Sequence, residues 1–128
     1  MLRRSIWVAA VMLAGCALPG ASDLMQKGTM RAFVERGSPA RIAECVADSL
    51  DKRNWWYSIE RSRTLNNGSV ELLGTHWNYT GALLWKALLV SAESGMTRVE
   101  LTTRDRLPFL GGDKIRSDMR AEFERCAG

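Results

Sequence analysis

Ile42, Cys45, Val46 and Leu50 recur at i, i+3, i+4 and i+8, one apolar stripe of an amphipathic helix, with Glu44, Asp48 and Asp51 off the stripe. Ser38-Pro39 opens it: the hydroxyl accepts from a free backbone N–H of the first turn, and proline at the first helical position gives up an N–H that would have no partner. The spacing predicts a helix to about Lys52. A second stripe, Ile115, Met119 and Phe123 with Cys126 three further on, predicts another helix from about Asp113. Asp113 is placed to cap it, and Arg120 and Arg125 sit late, where the helix dipole favours cations.

Between the two helices the period changes to two. Tyr57, Ile59, Arg61 and Arg63 alternate with Trp56, Ser58, Glu60 and Ser62, and Asn66-Asn67-Gly68 supplies a hairpin turn. Residues 69–79 form the return strand, and Thr80-Gly81 breaks it. Residues 82–92 read as a third, strongly apolar strand, although 84–92 also fits a helix by composition. The Glu93-Ser94-Gly95 turn favours a second hairpin, with Val99, Leu101 and Thr103 on one face of the last strand and Arg98, Glu100 and Thr102 on the other. Residues 107–112 are a loop. The pattern predicts an α+β domain: an antiparallel sheet of about four strands with two amphipathic helices packed on one face, in the order α-β-β-β-β-α. Residues 24–36 carry scattered apolar positions (Leu24, Met25, Met30, Phe33, Val34) interrupted by Gly28. They fit a short helix or an extended segment lying on the domain, and the periodicity does not decide.

The N-terminus has another character. Arg3 and Arg4 precede an apolar run over residues 6–14, which ends in small residues, as a secretory signal peptide does. The run is too short for a membrane span, which needs roughly 20 residues. Leu13-Ala14-Gly15-Cys16 then matches the four lipobox positions, so residues 1–17 resemble a bacterial lipoprotein signal. The resemblance implies cleavage between Gly15 and Cys16, a diacylglycerol thioether on Cys16 and a third acyl chain, such as palmitate, on the new amino group. Two lipid signals give stable anchoring at ~0.8 kcal/mol per buried methylene. Ala17, where an aspartate would retain a lipoprotein at the inner membrane, implies the outer membrane facing the periplasm. The expected organisation is therefore a signal peptide over residues 1–15, a lipid anchor and tether over 16–37 and a single small domain over 38–128. Pro19, Gly20, Ala21, Ser22 and Asp23 suit the tether.

That address bears on the remaining cysteines. An even pair, Cys45 and Cys126, in an exported chain is most simply a disulfide, and both lie on the stripes of the two helices. A metal pair lacks further ligands, with His76 the only histidine; a pair of free thiols is the other alternative. The formal charge of +4 falls to +2 once Arg3 and Arg4 leave with the signal. The remaining cations are interspersed with acids, which does not point to nucleic acid.

Candidate chemistry is sparse. His76 sits on a strand, as a surface or edge residue, with no serine and aspartate at the geometry a catalytic triad needs. Glu122 and Glu124 point to different helix faces, so no carboxylate pair forms. No phosphate-binding glycine loop is present, and no metal or cofactor is expected. Two features point to binding instead. One is the aromatic-rich stretch with Trp55, Trp56, Tyr57, Trp77, Tyr79 and Trp85, a composition found at protein hot spots as well as in cores. The other is the apolar loop Leu107-Pro108-Phe109-Leu110, which either contacts a partner or membrane or completes the core. Trp55, Trp56, Leu107 and Phe109 are the candidate partner-binding residues. The expected function is that of a non-enzymatic, lipid-anchored envelope lipoprotein acting on another envelope protein as accessory, scaffold or assembly factor. A periplasmic inhibitor or immunity-type lipoprotein is the first alternative, and a small glycan-binding or hydrolytic lipoprotein the second.

Overall fold

The computed structural model describes residues 28–53, 56–76, 83–105 and 111–128. The signal segment, Cys16, the start of the tether, Trp55, Trp77, Tyr79, Leu107 and Phe109 lie outside the described residues. The chain runs β1 (Gly28–Arg36), α1 (Pro39–Lys52), β2 (Tyr57–Thr64), β3 (Val70–His76), β4 (Trp85–Ser91), β5 (Met96–Arg104) and α2 (Gly112–Arg125). The class is α+β, as the pattern predicts, but among the described residues the sheet has five strands and the order is β-α-β-β-β-β-α.

Helix α1 starts where the sequence places it: Ser38 Oγ accepts from the Arg41 N–H, and Pro39 opens the first turn. Helix α2 is capped differently from expectation. Gly111 is its N-cap, without a side-chain bond, and Asp113 lies inside the first turn, paired with Arg116 at 2.7 Å. The reason is steric. The start of α2 comes so close to the end of β5 that a Cβ on Gly112 would lie 2.5 Å from the Arg104 carbonyl oxygen.

All strand pairs are antiparallel, in the spatial order β1-β5-β4-β3-β2. Residues 28–36, part of the segment expected to be tether, therefore form a strand of the sheet, and the folded unit reaches back at least to Gly28. One residue decides this: Phe33 lies opposite Val99, its ring meets Phe123 edge-on at 5.9 Å, and the Arg120 guanidinium stacks over it at 5.0 Å.

One face of the sheet is the core. Phe33, Tyr57, Val70, Leu72, Trp85, Ala87, Leu89, Val99 and Leu101 form one buried cluster with Ile42, Val46 and Leu50 of α1 and Ile115, Met119 and Phe123 of α2. Both helices thus cover the same face. Trp85, among the described residues the largest fully buried side chain, has room because Gly74 opposite has no Cβ; one built there would lie 1.9 Å from the indole. In β2 the register slips between Ile59 and Arg61. Arg61 and Arg63 therefore do not share the face of Tyr57 and Ile59, as simple alternation has it. Arg61 pairs with Leu73 and Arg63 with Glu71, on the side away from the helices.

Cys45 of α1 and Cys126 at the end of α2 form a disulfide, with S–S 2.08 Å and Cα–Cα 5.7 Å. The bond joins the two helices on their packed sides, as the stripes require.

Candidate functional site

Among the described residues three places stand out for their polar or exposed groups. The first is the end of the sheet where β2, β3 and α2 meet. The Tyr57 hydroxyl donates to Asp118 Oδ2 at 2.6 Å, and Lys114 Nζ lies 2.9 Å from the other carboxylate oxygen. His76 stands edge-on to the Tyr57 ring at 5.0 Å. It is only 8% exposed, on a strand flanked by β2 and β4, so it is neither the surface nor the edge residue expected from sequence. Burial lowers the His76 pKa, against the opposing charge of Asp118, and favours the neutral imidazole. The Tyr57 phenol is pushed far up by burial and by its bond to Asp118, and holds its proton. This arrangement fixes β2 and β3 to α2. Sequence reasoning had no access to it, because Tyr57 and Asp118 are 61 positions apart.

The second place is the corner around the disulfide. Buried Glu122 accepts from Ser49 Oγ of α1 and pairs with Arg125 at 3.2 Å. The carboxylate thereby ties the two helices one turn before the cysteines do. Among the described residues no group of three or more His, Cys, Asp or Glu is placed to hold a metal ion.

The third place is the other face of the sheet and its β1 edge. Here β1 presents Met30, Ala32 and Val34, beside Arg98, Glu100 and Thr102 of β5. Among the described residues the exposed large apolar side chains are Met30 (47%), Val34 (52%) and Trp56 (41%), so two of the three sit on one strand. The backbone of β1 adds to this. Gly37 N–H donates to the Gly95 carbonyl at 2.9 Å, continuing the β1–β5 ladder by one pair. Hydrogen-bonded pairs alternate in an antiparallel ladder, so the odd residues of β1 bond to β5. The even residues, Met30, Ala32, Val34 and Arg36, turn their N–H and C=O toward the edge that no other described strand covers. Two of those carbonyls are occupied: Arg36 O accepts from Gly128 N–H at 2.9 Å, and Met30 O from the Arg31 guanidinium at 3.2 Å.

Of the sequence-derived candidates, Cys45 and Cys126 are brought together and Trp56 is exposed, whereas Trp85 and Tyr57 belong to the core. Trp55, Leu107, Phe109 and Cys16 lie outside the described residues. Met30, Val34 and the β1 edge were not singled out, although the alternation Met30-Arg31-Ala32 carried a signal: its apolar phase is turned to solvent. Compared with known proteins, the chain matches no family model, and no curated protein matches it significantly.

Proposed function

We propose that this chain is a lipid-anchored envelope lipoprotein that acts without catalysis, through protein contacts made by the helix-free face of its sheet, in an accessory, scaffold or assembly role. The observation that carries the reading is the pairing of exposed Met30 and Val34 with open backbone groups on the same strand. A large apolar side chain left in water beside an unpaired edge is what a protein interface uses and what an isolated domain avoids. The lipobox residues Leu13-Ala14-Gly15-Cys16 and the disulfide support an address outside the cytoplasm. An anchored position of that kind raises the local concentration of an envelope partner and suits a contact of modest affinity.

The test has two readouts on protein taken from membranes. Mass spectrometry of the N-terminal peptide should find Cys16 diacylglycerol-modified; an unmodified Cys16 removes the anchor from the proposal. A photo-crosslinking residue in place of Met30 should give protein adducts in intact cells, and the same probe in place of Arg41, on the solvent side of α1, should not. A cellular role lost on His76→Ala with an unchanged melting curve, and kept on Val34→Glu, would replace this reading with an enzymatic one.

A further inference from the structure

The two edges of the sheet are not alike. β2 carries Arg61 and Arg63 and a register slip, devices that discourage strand addition. β1 also carries charges, Arg31 and Glu35, on its helix-side positions, but they have opposite signs and stand two residues either side of Phe33. Charges of one sign would repel a second copy of the strand. These form a self-complementary set.

We propose that two copies of this chain pair through β1, antiparallel, about a two-fold axis at Phe33. The open even residues fit that register. Ala32 falls opposite Val34 of the second copy, and the two N–H and two C=O groups on each side exchange four main-chain hydrogen bonds. Arg31 then faces Glu35 of the other copy, twice, at positions where cross-strand partners lie about 4.5–5.5 Å apart at Cβ. In the single chain Glu35 shares its surroundings with Glu124 and Arg120, and its carboxyl is raised by burial first and by Glu124 second. A second Arg31 adds a cation to that of Arg120, and the axis gathers two each of Arg31, Arg120, Glu35 and Glu124, a net-neutral network.

Space allows it. Helix α2 lies mainly over β5, so the two copies of α2 would be separated by three strand spacings, about 14 Å, which accommodates helices about 10–12 Å across with their side chains. On the opposite face Met30, Ala32 and Val34 of both copies merge into one apolar band. The pairing extends the proposed protein-contact reading by naming a second copy as the occupant of the edge, but it does not depend on lipid at Cys16.

The experiment is light scattering on the full chain extracted in mild detergent, corrected for the detergent, across a dilution series. The wild type should be dimeric. Arg31→Glu and Glu35→Arg should each weaken the dimer roughly ten-fold or more, through like charges set opposite one another, and the double variant should restore it. Circular dichroism melts establish that each variant is folded. If a reversal lowers the melting temperature, Ala32→Pro carries the test, since proline at an open edge position keeps the fold and deletes two of the four bonds. A wild type that stays monomeric at the highest concentration reached overturns the proposal, even with Cys16 lipidated. So does a dimer indifferent to both reversals, or one that Ala32→Pro leaves intact.

Discussion

Gly74→Ala tests the core by sign as well as by size. Glycine inside a strand is normally the weaker choice, so replacing it with alanine would by itself stabilise the fold by about 0.5–1 kcal/mol. Here the new methyl would sit 1.9, 2.1 and 2.2 Å from Cε2, Cζ2 and Nε1 of Trp85. The indole would have to retreat by roughly 1.5 Å to reach ordinary van der Waals contact at about 3.4 Å. It is fully buried, in an interior as dense as an organic crystal, and has nowhere to go without shifting α1 or α2. Overpacking of this kind costs typically 1–3 kcal/mol and occasionally more; about 3 kcal/mol is expected here, against the propensity gain. For a domain of about 100 residues that lowers the melting temperature by roughly 12–24 °C. Trp85→Leu on its own is also destabilising, through the volume it removes. In the double variant the methyl has room, so the two losses should fall short of their sum by at least about 1 kcal/mol, well outside the ~0.5 kcal/mol scatter of independent sites. Thermal melts and urea titrations of the four proteins give the cycle. A Gly74→Ala protein as stable as the wild type, or a cycle that simply adds, would refute the placement of the indole over Gly74.

Removing the Cys45–Cys126 bond by Cys45→Ala should cost ~4.5 kcal/mol, the chain entropy of a loop closed across 81 positions. Urea unfolding with and without reductant checks it: reductant should destabilise the wild type and leave Cys45→Ala unchanged. The pH dependence should follow His76, whose folded-state pKa lies below its ordinary value of 6.5, because burial disfavours the imidazolium more than Asp118 favours it. The unfolded chain therefore binds the proton more readily, and the stability that neutral His76 contributes is complete above pH 6.5 and drains away as the pH falls through the folded-state value. Melting temperatures between about pH 5 and 8 should decline toward acid in the wild type and decline less in His76→Phe.

The helices were legible because their signals are local. Ser38, Pro39 and a stripe of period 3.6 act within a few residues, and the structure places α1 where they put it. The two hairpins followed from their turn residues, and the disulfide from two stripe positions whose helices had to share a face. Asp113, Arg61 and His76 were misplaced because longer-range geometry decided them: the close approach of Gly112 to β5, the slip in β2 and the position of β3 inside the sheet. The periodicity leaves β1 undecided between a short helix and an extended segment for a different reason. Of its helix-side residues only Phe33 is buried, while Thr29 and Glu35 are half-buried and Arg31 is exposed. The strand buries one side chain and shows its apolar phase to solvent, so a reading that assigns apolar residues to the interior cannot tell a sheet strand from a short helix there. The same inversion hid the candidate surface, whose residues look like core in sequence.

The pairing of β1 with β5 also constrains when this domain can come together. Among the described strands β1 neighbours β5 alone, from Arg36 opposite Met96 to Gly28 opposite Arg104, and Cys45 waits for Cys126. A chain is made from its N-terminus at about 5–20 residues per second, so 81 positions correspond to roughly 4–16 s. Over that interval the first core cysteine has no correct partner, and for most of it β1, the first described strand, has both edges open, with Met30 and Val34 exposed. Only after β5 and α2 have been made do the sheet and the covalent ring close, and they close almost together. Until then β1 is open to a wrong neighbour, and a factor that shields an extended strand during this wait would serve this protein.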